Sequence, residues 1–174
     1  LKKKKGYDLI DKITLELIKK KINFKWNIIG KNVSFLKEKK IVKENLNNFN
    51  LIENIENINE TYFPHSKLIK FYKSSDIYLN LSRVESFGIT FIEALAAGLP
   101  IITFNTKGAN EIVINNVNGS IVKKFSQIEY VKKILYLKKR NNLKKIQPKI
   151  LKTVKKYDLT LTSNKILRII NLIK

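Results

Sequence analysis

Apolar residues recur at helical spacing in the segment "YDLIDKITLELIKKK": Leu9, Ile10, Ile13 and Leu17 share one stripe, with Ile18 at its border. Lysines gather at the C-terminal end, where the helix dipole favours cations, so the pattern predicts an amphipathic helix. "FKWNIIG" reads as a short strand closed by Gly30, and the Lys- and Asn-rich stretch 31–50 as loop, a short helix and an adjoining strand near 49–55. "PHSKLIKFYKSSD" offers Ser66 as N-cap for a helix carrying Leu68, Ile69, Phe71 and Tyr72. "DIYLNL" (76–81) has the composition of a central strand, "ITFIEALAA" of a helix and "PIITF" (100–104) of a buried strand. "KGANEIV" reads as a loop with one helical turn, and "VNGSIV" as a turn at Asn118-Gly119 entering a short strand. From Ser126 onward the pattern predicts helices only, with a break near Pro148 and a last amphipathic helix over about 160–172. Strand and helix thus alternate along most of the chain, the pattern of a doubly wound parallel sheet in an α/β fold. In such sheets ligands bind at the carboxyl ends of the strands.

The chain has 174 residues, enough for one domain with a sizeable core and too few for two full α/β domains. It opens at Leu1 inside a lysine run, which leads us to expect more protein upstream. "LKKKKGYDLI" has the basic start of a signal peptide, but Asp8, Asp11, Lys12 and Glu16 interrupt the hydrophobic region such a signal needs. The longest apolar stretch, "ALAAGLPIITF", is shorter than the ~20 residues of a membrane span. With no cysteine there is no disulfide framework, thiolate metal site or cysteine nucleophile, which fits a cytoplasmic protein. A single histidine, His65, leaves few zinc geometries or His-paired triads to consider. Chemistry must come from carboxylates, lysines, hydroxyls and backbone.

The formal net charge is +21, yet all but three of the 35 cations are lysine. Base-reading proteins rely on arginine forks and interleaved aromatics, so we expect no nucleic-acid partner. Attraction to acidic membranes, at about 1 kcal/mol per suitably placed Lys, stays open.

The segment "ESFGITFIEALAAGLP" (85–100) sets two carboxylates, Glu85 and Glu93, around a Ser-Phe-Gly-Ile turn. If 76–81 is a strand, this turn lies at its carboxyl end. Gly88 lets the backbone approach a bound group, and the amides around Phe87 to Thr90 open a helix without intrahelical partners. Such amides suit a phosphate, whereas carboxylates suit hydroxyls. The pair therefore fits a diphosphate flanked by a sugar and a ribose. For isolated glutamates a solvated loop or helix edge is the commoner case.

"ESFGITFIEALAAGLPII" resembles the Glu-x7-Glu signature of retaining GT-B glycosyltransferases of family 4. The resemblance extends in order through "KGYDLIDKI", "WNIIG", "LIKFYKSSDIYLNLS", the signature, "GANEIV" and "NGSIV", over residues 4–123. It implies the C-terminal, Rossmann-like, donor-binding half of a GT-B fold, with C-terminal helices. Residues 1–147 would be the nucleotide-sugar-binding domain, and 148–174 an extension crossing to an N-terminal acceptor domain missing here. The apolar face of Leu159, Leu161, Ile166, Ile169, Ile170 and Ile173 would then be left partly uncovered.

The resemblance also implies roles. Lys5, before Gly6, would contact the donor diphosphate in place of a metal; on composition alone it belongs to a solvated terminus. Glu85 would lie against the transferred sugar and Glu93 would bind the ribose. Ser86 and the amides of Phe87, Gly88, Ile89 and Thr90 would hold sugar hydroxyls and phosphate oxygens. Thr90 replaces an aliphatic residue common there. Ser82 matches a strand-end serine, alternatively a hydroxyl bonded locally. Gly108 and Glu111 match a Gly-x-x-Glu loop near the donor, although Glu111 serves equally as a cap for the following turn. Arg83 adjoins the site with no motif position. Trp26 fits a sheet core better than a sugar platform, and His65 a structural or solvent role.

The implied reaction transfers a hexose from a UDP- or GDP-sugar to a sugar or lipid-linked acceptor with retention. It would need no metal or cofactor beyond the donor, and would run in the cytoplasm or at the inner face of its membrane, in envelope polysaccharide synthesis. Two alternatives stand beside it: a GT-B-related nucleotide-sugar epimerase, and a non-catalytic basic module binding nucleotide or membrane.

Overall fold

A computed structural model of the chain describes residues 4–53, 65–123, 125–139, 142–158 and 160. Helix α1 (Tyr7–Lys19) buries Leu9, Ile10, Ile13 and Leu17, as the stripe predicts, together with Thr14, while Ile18 is exposed. Strand β1 (Trp26–Ile29) pairs in parallel with β2 (Phe49–Ile52), and the Gly30 amide continues the ladder to the Ile52 carbonyl at 3.0 Å. Between them lie a 3-10 segment (Val33–Glu38) and the short α2 (Lys40–Lys43). Helix α3 (Ser66–Lys73) leads to β3 (Tyr78–Asn80), α4 (Ile89–Ala96), β4 (Ile101–Phe104), α5 (Lys107–Ile112) and β5 (Gly119–Val122). Two helices close the described chain, α6 (Gln127–Lys138) and α7 (Asn142–Val154).

All strand pairs are parallel, in two sheets ordered β1-β2 and β3-β4-β5. One core cluster runs from Leu9 on α1, through Phe91 and Leu95 on α4 and Ile101 and Ile102 on β4, to Tyr130 on α6 and Ile150 on α7. Each such large apolar side chain stabilises the fold by about 1.5–3 kcal/mol when fully buried. Tyr130 reaches through this core to donate to the Asn80 carbonyl, tying α6 to the end of β3. This is an α/β, Rossmann-like arrangement, parallel strands flanked by helices.

Three local expectations are corrected. Residues 76–81 read as a central strand, but β3 lies at the edge of its sheet and β4 at the centre. The burial explains it: all four residues of β4 are buried, while Tyr78 and Leu79 are only half-buried. Ser66 is the first helical residue of α3, and His65 holds the N-cap position. The expected break at Pro148 is absent, since α7 continues through it. Pro148 is exposed, whereas Ile146 and Ile150 on either side are buried, so packing of that face offsets the amide lost at the proline. The expected last helix over 160–172 and its uncovered apolar face fall outside the described residues, apart from Thr160.

Candidate active site

Four separated segments meet where β3 runs into α4. The Arg83 amide donates to the Lys4 carbonyl at 2.8 Å, laying the Lys4–Gly6 turn against the end of β3. Gly6 is buried with φ +73°, and a Cβ there would stand 1.9 Å from the Leu81 carbonyl oxygen. Only glycine satisfies both the left-handed backbone and that approach. Lys5, exposed, is thereby held beside the 81–83 segment that leads to Glu85.

Helix α5 supports the same loop from its other side. The Gly108 amide donates to the Glu85 carbonyl at 3.0 Å, and a Cβ on Gly108 would lie 2.5 Å from the Phe87 carbonyl oxygen. Thr106 caps α5, its Oγ1 accepting from the Ala109 amide at 3.3 Å. Glu111 sits within α5 rather than in a loop or cap; its side chain is exposed and its carbonyl accepts from the Tyr157 hydroxyl at 3.3 Å.

Gly88 takes the N-cap position of α4, and its carbonyl accepts from the Phe91 amide at 2.9 Å. The Ile89 and Thr90 amides belong to the first turn, where a helix supplies no acceptor of its own and presents the positive end of its dipole. Ser86, Phe87, Ile89 and Thr90 are exposed, while Glu85 and Glu93 are half-buried. Ser82 is buried at the strand end, its amide donating to Asn80 Oδ1 at 2.8 Å.

Beneath this turn lie aromatic rings. Tyr72 on α3 donates its hydroxyl to Glu93 Oε2 at 2.8 Å, and Tyr78 on β3 donates to Thr90 Oγ1 at 2.9 Å. The two rings are 6.0 Å apart, and Tyr78 meets the fully buried Phe91 edge-on at 6.2 Å. Burial pushes the Tyr72 phenol well above its ordinary range, with the charge of Glu93 acting in the same direction. Tyr78 is pushed up to about 12, first by burial and further by the charges of Glu85 and Glu93. The two carboxylates, eight residues apart in sequence, therefore lie within electrostatic reach of the Tyr78 phenol. Between α3 and α4 opens a cavity of ≈ 390 Å³, its walls mainly apolar from Ile69, Ile89, Ile92 and Ala96, with Glu93 and Tyr72 at its edge. Among the described residues no three Asp, Glu or His side chains gather as metal ligands would.

Residues 1–153 match the family described as glycosyl transferases group 1. The chain belongs to that family. An uncharacterised glycosyltransferase of Haemophilus influenzae is 32% identical over 130 residues, covering 74% of this chain and 34% of the relative. The pneumococcal O-GlcNAc transferase GtfA, solved in complex with UDP and GlcNAc, superposes with a TM-score of 0.79 at 22% identity, over 98% of this chain and 34% of its own. The C-terminal domain of LpcC, a group 1 family protein of Francisella tularensis, gives a TM-score of 0.70 at 24% identity, over 91% of this chain and 83% of that domain. These likenesses show the GT-B type of fold. This group 1 chain thus spans about a third of the length of the curated relative described above.

Within this glycosyltransferase family domain, three residues of the site were not assigned a role from the sequence. Arg83 forms a two-point ion pair with Asp8, at 2.8 and 2.7 Å, and lies over the Phe125 ring at 5.3 Å. It fastens α1 to the loop carrying Glu85, and its one signal was its type, an arginine where lysine is the rule. Tyr72 and Tyr78 were read as apolar members of a helix stripe and a strand, and their hydroxyls gave no periodic signal. Trp26 stands in β1 with Nε1 donating to Thr14 Oγ1 at 3.1 Å, as a sheet-core tryptophan would.

Proposed function

We propose that this chain is the donor-binding domain of a retaining hexosyltransferase that uses a nucleoside-diphosphate sugar. The observation that carries the reading is the convergence of the Lys4–Gly6 turn, the 85–90 loop and Gly108 on the first turn of α4, with Glu85 and Glu93 on either side.

The Gly88, Ile89 and Thr90 amides and the helix dipole bind the diphosphate, and the Lys5 ammonium neutralises charge as it leaves. Glu93 accepts from ribose hydroxyls at the edge of the α3/α4 cavity, whose apolar walls suit a nucleoside. Glu85, with Ser86 and the Phe87 amide, holds the hexose. Ser82, Gly108 and Glu111 complete the surroundings of the donor. In the transfer, the bond from the anomeric carbon to the phosphate oxygen breaks. The acceptor oxygen bonds that carbon on the same face, and the acceptor proton passes to the departing diphosphate. A sugar or lipid-linked acceptor would be supplied by a further domain. We read the reaction as metal-independent, because Lys5 and the amides meet the diphosphate charge. UDP heads the nucleotides to test, since GtfA was solved with it.

Among the described residues no helix is long and apolar enough to cross a membrane. The lysine excess suits work against an acidic membrane surface, in polysaccharide synthesis at its cytoplasmic face.

Calorimetric titration of UDP, GDP and ADP, each with EDTA present, tests this reading. One nucleotide binds without metal, and Glu93→Ala weakens it by about tenfold, the worth of a hydrogen bond to a charged group. Binding of none, or binding indifferent to Glu93→Ala, would overturn it.

A further inference from the structure

We propose that Tyr72 is the positioning residue that sets the ribose-binding geometry of Glu93, an inference that rests on the donor-site reading above. A glutamate on a helix surface has several rotamers, and only one direction serves a ligand in the cavity between α3 and α4. Here one carboxylate oxygen, Oε2, accepts from the Tyr72 hydroxyl at 2.8 Å, leaving Oε1 as the other acceptor for a hydroxyl pair. Tyr72 itself is fixed: it is 7% exposed and packs 6.0 Å from the Tyr78 ring. A buried phenol on one element thus holds a half-buried carboxylate on another, and both border the same cavity. A carboxylate so held binds without first losing its rotamer freedom.

Tyr78 provides a matched control. It belongs to the same aromatic group and donates to α4, but to Thr90 rather than Glu93. Replacing either tyrosine by phenylalanine removes one hydroxyl that donates from this aromatic group to α4. Only the Tyr72 change touches the carboxylate.

The experiment is calorimetric titration of UDP and GDP, each beside its 2′,3′-dideoxy counterpart, into wild type, Tyr72→Phe, Tyr78→Phe and Glu93→Ala. Wild type binds one ribonucleotide about tenfold tighter than its dideoxy form, the scale of a hydrogen bond to a charged group. Glu93→Ala abolishes that preference. Tyr72→Phe reduces it to within about threefold while leaving dideoxy binding unchanged, and Tyr78→Phe keeps the wild-type ratio. A general loosening of the fold would weaken both nucleotides alike. A full ribose preference in Tyr72→Phe would overturn the inference while leaving the donor site standing. No nucleotide binding, or no ribose preference in wild type, would overturn the underlying reading and the inference with it.

Should Tyr72→Phe fail to fold, ring-13C tyrosine labelling reads the contact in the wild-type chain. The Tyr72 Cζ signal, identified by its displacement in Glu93→Ala, stays in place when UDP binds if the phenol keeps hold of the carboxylate. Its return to the position of a solvated phenol on binding would overturn the inference.

Discussion

At Gly6 a methyl group has nowhere to go, with the Leu81 carbonyl oxygen 1.9 Å from where it would stand and a backbone at φ +73°. Gly6→Ala should lower unfolding stability by about 2 kcal/mol or more, measured by urea denaturation, and weaken nucleotide binding because the turn that carries Lys5 must shift. The neighbouring Asp8–Arg83 pair makes a pH prediction. Hydrogen bonding to Arg83 holds the Asp8 carboxyl below the usual carboxylate range. A depressed native pKa contributes stability above the unfolded value near 4, and that contribution is lost as pH falls through the native pKa. Asp8→Asn should therefore cost stability at pH 7 and converge with wild type in strong acid. Tyr78 behaves oppositely: its raised pKa, about 12, contributes stability below the ordinary phenol value that is lost as pH rises past it. Tyr78→Phe should flatten the fall in stability above about pH 10 relative to wild type, followed by thermal melting. At this scale the two glutamates stood out by their spacing around the Ser-Phe-Gly-Ile turn, whereas Gly6 and Gly108 were singled out only through the motifs of the resembled family; the close backbone approaches at both glycines are what the structure adds. Tyr72, Tyr78 and Arg83 were not legible as site residues. Their partners stand 21, 12 and 75 positions away, and which polar side chains meet is decided only by packing.

Among the elements, the strongly periodic ones follow the pattern closely: α1 buries the predicted stripe, and β4 is buried throughout. Where local preference and packing compete, packing prevails. Pro148 removes an amide from the interior of α7, yet Ile146 and Ile150 hold that helix to the core. Pro148→Ala, which restores the amide on an exposed face, should stabilise the chain by about 1 kcal/mol, read as a raised denaturation midpoint at unchanged slope. The edge position of β3 was hidden for a related reason. Its residues have strand composition, but what its side chains cover is α4, through Tyr78 and Thr90, rather than another strand on each side.

For the whole molecule the dominant fact is a net charge of +21 on 174 residues. Exposed lysines collect at the C-terminal ends of α1 and α6, as Lys19, Lys20, Lys21, Lys138 and Lys139, and Lys138 Nζ reaches the Asn23 carbonyl at 3.5 Å. Like charges so close repel in dilute buffer and are screened as the Debye length falls from about 30 Å at 0.01 M to about 10 Å at 0.1 M salt. The melting temperature should accordingly rise by a few degrees over that range. A fall would mean that ion pairs, not repulsion, dominate the surface. In an α/β fold the C-terminal ends of the helices lie away from the carboxyl ends of the strands, so this cationic surface and the proposed donor site occupy opposite ends of the domain. That separation makes one measurement decisive. In a 15N-labelled sample titrated with UDP or GDP in EDTA, the amides of Gly6, Ser86, Gly88, Ile89, Thr90 and Gly108 should shift together and saturate at a common concentration. Lys19 to Lys21 and Lys138 should stay in place. Shifts confined to the lysine surface and abolished by salt would contradict the account, leaving a polycation that attracts phosphates without a site to hold them.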